Sequence, residues 1–127
     1  MITRLGELLK WGKATLRSAG IDDFEISAML LLQSILNKPR HQILLDQNLF
    51  ISLDNIEKYK DLILQRSRHV PLQHLIGEVE FYNIKLKCDY RALIPRPETE
   101  ILVETVIENL KALKSPSILD IGTGSGN

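Results

Sequence analysis

The residues best placed to do chemistry stand at the end of the sequence, Ser117-Ile118-Leu119-Asp120-Ile121-Gly122-Thr123-Gly124-Ser125-Gly126-Asn127, an apolar run that enters an acidic, glycine-rich loop. Without Cβ atoms, Gly122, Gly124 and Gly126 can take positive φ and let a ligand approach the backbone, while a following helix would offer free N–H groups. The spacing is D-x-G-x-G-x-G. The dinucleotide fingerprint is G-x-G-x-x-G, and its third glycine would fall on position 127, which is Asn. An anion against Asp120 is repelled and an ammonium group is attracted. The amino-acid end of S-adenosylmethionine carries such a group, so the loop favours that cofactor over a dinucleotide, and either over a plain strand-turn glycine cluster.

A loop of this kind needs a sheet behind it. Ser117 to Ile121 reads as a buried parallel strand, and such a strand needs neighbours on both edges and helices on both faces. The 127 residues hold none after it. The sequence is therefore expected to be the front part of a longer protein, with Ile118 to Asn127 poorly ordered or packed in a makeshift way for want of sheet partners.

Stepping upstream, Pro95 and Pro97 keep Arg91 to Arg96 out of a helix, and a helix starts near Pro97. Glu98 and Glu100 occupy its first turn and Lys111 and Lys114 its end, which complements the macrodipole. Leu102, Val103, Val106, Ile107, Leu110 and Leu113 make a wide apolar stripe, as for a helix laid on a sheet. Val79 to Tyr82 and Ile84 to Cys88 are β-rich runs meeting near Asn83, and they predict a hairpin. Cys88 shares a strand face with Ile84 and Leu86 and reads as a small buried apolar residue rather than a nucleophile.

The first 70 residues predict a helical bundle. Leu5, Leu8, Leu9, Leu16 and Ala19 predict a helix over about 3–19, closed by a left-handed cap at Gly20. Asp22 with Glu25 fits a capping box that opens a second helix, which Lys38-Pro39 ends. Pro39 can start a short helix carrying Ile43 and Leu44. Asp54 with Glu57 repeats the capping signal for a helix striped by Ile56, Tyr59 and Ile63 and running to about His69. Trp11 and Phe24 are expected in the helical core. The fold class is thus an α-helical N-terminal bundle over 1–70, a linker with a β-hairpin over 71–94, and over 95–127 the first helix, strand and glycine loop of an incomplete α/β doubly wound domain.

Composition excludes several functions. Sixteen basic and sixteen acidic side chains cancel, so there is no general electrostatic footprint for nucleic acid or anionic membrane. One cysteine and the absence of a secretory apolar run point to the cytoplasm, and no stretch reaches the roughly 18 apolar residues of a membrane helix. His41, His69 and His74 are too scattered for a zinc site. Arg66, Arg68 and His69 form a small basic cluster that complements a helix end.

Four motifs in order, Pro71-Leu72-Gln73-His74-Leu75-Ile76-Gly77, Glu80-Phe81-Tyr82, Leu93-Ile94-Pro95-Arg96-Pro97-Glu98-Thr99-Glu100 and Ile118-Leu119-Asp120-Ile121-Gly122-Thr123-Gly124-Ser125-Gly126, resemble the release factor glutamine methyltransferase family. The resemblance implies a class I methyltransferase that moves a methyl group from S-adenosylmethionine to the side-chain amide nitrogen of the glutamine in the Gly-Gly-Gln motif of a peptide chain release factor. It assigns cofactor binding to Gly122, Thr123, Gly124, Ser125 and Gly126, with Asp120 supporting the loop. Residues 1–70 become a docking module for the release factor, and the protein a cytoplasmic monomer without nucleic-acid or membrane partners. Arg96, Glu98 and Glu100 lie near the cofactor entrance in that family; their alternative is to cap a helix and pair with each other. The family's Asn-Pro-Pro-Tyr motif, which grips the glutamine amide, does not occur in these residues, nor does the acid after the next strand that binds the cofactor ribose. No catalytic residue is therefore present, and the 127 residues alone are expected to be inactive. The rival expectation is a truncated binding module that engages a partner without catalysis.

Overall fold

Why the front half closes on itself is visible in its first helix. The computed structural model describes residues 4–126, and α1 (Leu5–Ser18) puts Leu5, Leu8, Leu9 and Leu16 on one buried face. The expected start at residue 3 lies outside the described residues. No side chain caps α1; its first N–H groups donate instead to a loop, Leu5 to the Leu49 carbonyl at 3.0 Å and Gly6 to that of Gln47 at 2.9 Å. The other end is a Schellman cap. Gly20 has φ +73°, its N–H meets the Arg17 carbonyl at 3.1 Å, and the Ile21 N–H reaches back to Leu16 at 3.1 Å. Ile21 and Leu16 are both buried, the apolar contact that accompanies this motif.

Helices α2 (Phe24–Leu36), α3 (Arg40–Leu45) and α4 (Leu53–Ser67) complete the bundle, and a short α5 (Leu72–Ile76) follows. Helix α5 lies beyond the end of the bundle expected at about residue 70. Ala28, Met29, Leu31 and Leu32 of α2, Ile43 of α3, Ile56, Tyr59 and Ile63 of α4 and Leu72 of α5 join the α1 face in one apolar cluster. Trp11 and Phe24 pack against its edge half-buried, with the Trp11 and Tyr59 rings edge to face at 6.5 Å between centroids.

Both expected capping boxes give way to other groups. The N-cap of α2 is Asp23, not Asp22, and its side chain does not cap. Its carboxylate accepts from Ser27 Oγ at 2.9 Å and from Arg66 Nη2 of α4 at 2.7 Å. Arg66 Nε also donates to Ser27 Oγ at 3.1 Å, and its Nη1 to the Val70 carbonyl at 3.3 Å. A guanidinium that is only 15% exposed needs its donors satisfied, and that requirement recruits the carboxylate. Arg66 is therefore an internal strut and not part of a basic surface cluster. At α4 the cap is Ser52, which accepts from the Asn55 N–H at 3.4 Å. Asp54 sits in the first turn and pairs with Lys58 at 2.8 Å.

The chain divides after Ile76 into two units. The second contains a two-stranded antiparallel hairpin, β1 (Glu78–Phe81) with β2 (Ile84–Lys87), and α6 (Pro97–Leu110). Register runs from Glu78 opposite Lys87 to Phe81 opposite Ile84. The two-residue turn between them has positive φ at both Tyr82 (+46°) and Asn83 (+62°), the primed geometry that matches strand twist. The Cys88 N–H closes the base of the hairpin on the Gly77 carbonyl at 2.9 Å.

Helix α6 begins at Pro97 as the sequence predicts, with Lys111 as its C-cap and Lys114 past its end. No residue of it is buried. Its stripe, read above as lying on a sheet, is exposed at Leu102, Val106, Ile107 and Leu113, as is the neighbouring Ile101. The strand expected over Ser117 to Ile121 is not formed either: Ile118, Leu119 and Ile121 are 66%, 82% and 87% exposed, and the described residues contain no strand beyond β2. The reason is partnership. An extended segment becomes a strand by pairing its backbone groups, and here no neighbour pairs with it. The doubly wound layer thus has no counterpart among the described residues.

Candidate functional site

The glycine loop keeps its special backbone without a strand beneath it. Gly122, Gly124 and Gly126 have φ of +82°, +64° and +81°, and a Cβ built on any of them would meet open space. What demands glycine is therefore the backbone conformation and not the packing. The Gly126 N–H donates to the Thr123 carbonyl at 3.1 Å. The N–H groups of Gly122, Thr123, Gly124 and Ser125 have no hydrogen-bond partner among the described residues.

These residues face a second loop. Gly122, Thr123, Gly124 and Ser125 line an open concavity of about 460 Å³ whose other wall is Arg91, Ala92 and Leu93. It adjoins a hollow of about 410 Å³ lined by Lys87, Asp89, Arg91, Ala92 and Ser125. Asp120 and Gly126 are exposed and do not line the first concavity.

Sequence reasoning passed over Asp89 and Arg91. The Arg91 N–H and Nε both donate to Asp89 Oδ1 at 3.0 Å, Nε also reaches Oδ2 at 3.1 Å, and Nη2 reaches Oδ2 at 2.6 Å. These hydrogen bonds, and then the charge of Asp89, hold the guanidinium proton still more firmly than usual. The signal available was Asp-x-Arg in a proline-flanked loop, a spacing at which an Asp can bond the backbone two residues on. Next to it, burial and then the Asp89 charge push the Cys88 thiol up, so it stays protonated.

The three residues placed near the cofactor entrance separate. Glu100 Oε1 accepts from the Tyr82 N–H at 2.9 Å, tying the first turn of α6 to the hairpin turn. Arg96 is the N-cap residue of α6 but makes no side-chain cap, and Arg96 and Glu98 form no ion pair among the described residues. The alternative in which the three pair with one another is not what the geometry shows. Among the described residues no group of three His, Cys, Asp or Glu side chains gathers as metal ligands would, and no helix is long and apolar enough to cross a membrane.

The loop fits the amino-acid end of S-adenosylmethionine in its donor chemistry: unpaired N–H groups on a glycine backbone, hydroxyls at Thr123 and Ser125, and a cationic side chain opposite. For the ribose and adenine the described residues offer no comparable set.

Comparison with known proteins agrees with the motif pattern. The family model described as the PrmC N-terminal domain matches residues 7–77, the stretch holding the helical unit. A protein of Deinococcus radiodurans named release factor glutamine methyltransferase is 42% identical over 123 residues, covering 97% of this chain and 44% of its own. Proteins of the same name from Chlorobaculum tepidum (41% over 125 residues) and Clostridium botulinum (39% over 122) cover 94% and 96% of this chain. The chain spans less than half the length of these relatives, 42% and 43% in the latter two. With its helical unit matched by the family model and nearly its whole length matched by relatives at 39–42% identity, the chain belongs to the release factor glutamine methyltransferase family and corresponds to its N-terminal portion.

Proposed function

We propose that this sequence is the front part of an enzyme that transfers a methyl group from S-adenosylmethionine to the side-chain amide nitrogen of the glutamine in a release factor Gly-Gly-Gln motif. The observation that carries the reading is the family match over residues 7–77 combined with the D-x-G-x-G-x-G loop further on. When bound, the cofactor supplies a methyl group on a sulfonium, an electrophile. The chain's own part is to hold the donor: Gly122 to Gly126 offer backbone N–H groups, and Asp120 attracts the ammonium. An amide nitrogen is a weak nucleophile because its lone pair is delocalised, so it must be oriented in line with that methyl. The resemblance gives that task to an Asn-Pro-Pro-Tyr motif, which these residues do not contain. The 127 residues alone therefore have no turnover.

In this reading residues 1–70 dock the release factor, 71–94 form the hairpin linker and 95–127 begin the methyltransferase domain, in a cytoplasmic monomer that contacts no nucleic acid or membrane. The closed core of the helical unit supports a docking module that folds by itself. The same core, beside an α6 that buries no residue, favours one rival: a helical binding module without catalysis. Reading the coding DNA past codon 127 and assaying the product of the whole frame separates them. Labelled methyl transfer to the Gly-Gly-Gln glutamine is expected from a frame containing Asn-Pro-Pro-Tyr. A frame that stops at codon 127, or a whole product that transfers nothing, overturns the enzyme reading and leaves the binding module.

A further inference from the structure

Two hollows of the helical unit meet at Lys10. One, of about 300 Å³, is lined by Arg4, Gly6, Glu7, Lys10, Gln47 and Asn48. The other, of about 310 Å³, shares Gly6, Lys10 and Gln47 with it and adds Leu9, Lys13 and Leu44. Together they form a groove between α1 and the connection from α3 to α4. The backbone braces its two walls: the Leu5 N–H donates to the Leu49 carbonyl at 3.0 Å and the Gly6 N–H to that of Gln47 at 2.9 Å. Gly6 permits this approach, since a Cβ there would stand 3.2 Å from both the Cβ and the carbonyl oxygen of Gln47. A groove with fixed walls has little freedom left to lose when a partner enters it.

Charge decides which partner such a groove prefers. In a chain of zero net charge, Arg4, Lys10 and Lys13 line it against the single acid Glu7. Glu25, 3.4 Å from Lys13, offsets part of this excess, and the neighbouring Asp46 is already answered by Lys38 at 2.8 Å. Lys10 is exposed and makes no ion pair among the described residues. Lys10, Lys13 and Arg17 stand at i, i+3 and i+7 on α1, a basic stripe about 10 Å long. Apolar side chains accompany it: Leu44 is 43% exposed, and Phe50, under the Arg4 guanidinium at 5.6 Å, is 71% exposed. We propose that this groove holds an acidic, amphipathic segment of the release factor, with its carboxylates along the lysine stripe and its apolar side chains on Leu44 and Phe50; the proposal rests on the docking role given above to residues 1–70. A nucleic acid fits less well. Its unbroken run of phosphates would meet Glu7 and Glu25, whereas separate carboxylates pair with the lysines singly and bring apolar neighbours for Leu44 and Phe50.

The test uses the product of the whole reading frame and an intact release factor. By calorimetric titration, Lys10→Glu should weaken binding roughly five-fold and Phe50→Ala roughly ten-fold, while Lys10→Arg stays at the wild-type value. Added salt should weaken the wild type more than K10E, because the variant has lost the attraction that salt screens. Both side chains are exposed, so the variants should melt with the wild type, and methyl transfer to a short Gly-Gly-Gln peptide, which carries no such segment, should keep the wild-type rate. Equal binding of the release factor by wild type, K10E and F50A overturns the groove and leaves the docking role to another surface of the helical unit. A wild-type protein that does not bind the release factor overturns the docking reading and the groove together. A short RNA that displaces the release factor from wild type, and binds K10E more weakly, makes the groove a phosphate site and overturns the acidic segment.

Discussion

Substituting Gly12 by alanine sets two well-understood effects against each other. On propensity alone an alanine inside a helix is about 1 kcal/mol better than glycine. Gly12, however, lies on the buried face of α1 under the Tyr59 ring, and a Cβ there would stand 2.9 Å from Tyr59 Cζ, with the hydroxyl oxygen nearer still. That ring cannot slide away freely. Its hydroxyl donates to the Ala28 carbonyl at 3.0 Å inside the core, and burial pushes the phenol pKa well up, so it remains a donor throughout. If the ring stays, α1 and α4 must part, an overpacking cost of about 1–3 kcal/mol. If it swings out, a buried hydroxyl is left unpaired at about 1–3 kcal/mol, and the edge contact with Trp11 goes too. Set against the gain in propensity, either cost leaves Gly12→Ala between neutral and roughly 2 kcal/mol less stable, a fall in Tm of up to about 16 °C for a unit of this size. Urea and thermal unfolding followed by circular dichroism measure it. Tyr59→Phe removes the nearest atom, so the double variant should lose less than the sum of the two singles. A Gly12→Ala protein more stable than wild type by the full propensity gain of about 1 kcal/mol would refute the packing of Tyr59 over Gly12.

Three further outcomes follow from the same contacts. Ser27, Arg66 and the charge of Arg66 together outweigh the effect of burial and hold the Asp23 carboxyl below 3.8; its stabilising contribution is thus present above that value and lost as pH falls through the lower folded pKa. Asp23→Asn should cost about 1–2 kcal/mol at neutral pH, limited by solvent screening of a half-exposed carboxylate, and should flatten the acid limb of a plot of urea midpoint against pH; an unchanged limb sinks the network. Gly20→Ala forces a side chain into the left-handed region at φ +73° and should lower stability by about 1–2 kcal/mol in the same unfolding assay, whereas no loss would mean the Schellman cap is not maintained. Glu100→Ala should speed hydrogen exchange at the Tyr82 amide while the amides of α1 and α4 keep their rates, and an unaltered Tyr82 rate would show that the bond does not form.

The sequence made the helical unit legible where the controlling physics is local. The period of Leu5, Leu8, Leu9 and Leu16 marks the face of α1, and Gly20 ends it because only a residue without Cβ enters that conformation cheaply. Pro97 likewise announces the first residue of α6. Local reasoning failed where the decisive partner is distant. Asp22 and Glu25 have the spacing of a capping box, yet Asp23 is the N-cap, and its side chain is drawn off by Arg66, 43 residues away. Glu100 likewise has a partner that its spacing does not show, the backbone N–H of Tyr82 18 residues back. The glycine pattern of the candidate site was plain to read because glycine is a statement about φ. The facing wall of Arg91, Ala92 and Leu93 was not, because an arginine in a loop carries no periodic or conformational signature of what lies across from it.

The two units differ in how much of their apolar surface they bury. The helical unit buries a continuous cluster from α1 to α5 and settles its strongest internal charge on Asp23, so its stability needs no ligand. In the second unit Ile101, Leu102, Val106 and Ile107 of α6 and Ile118, Leu119 and Ile121 before the loop remain exposed. The most exposed of them, such as Leu119 at 82% and Ile121 at 87%, would gain about 1.5–3 kcal/mol if fully covered, and the partly covered Val106 and Ile107 less. Covering those faces would also steady the chain that leads into the glycine loop. In the proposed reading, cofactor affinity therefore depends on how α6 and the segment before the loop are covered, whereas the docking role proposed for the helical unit does not.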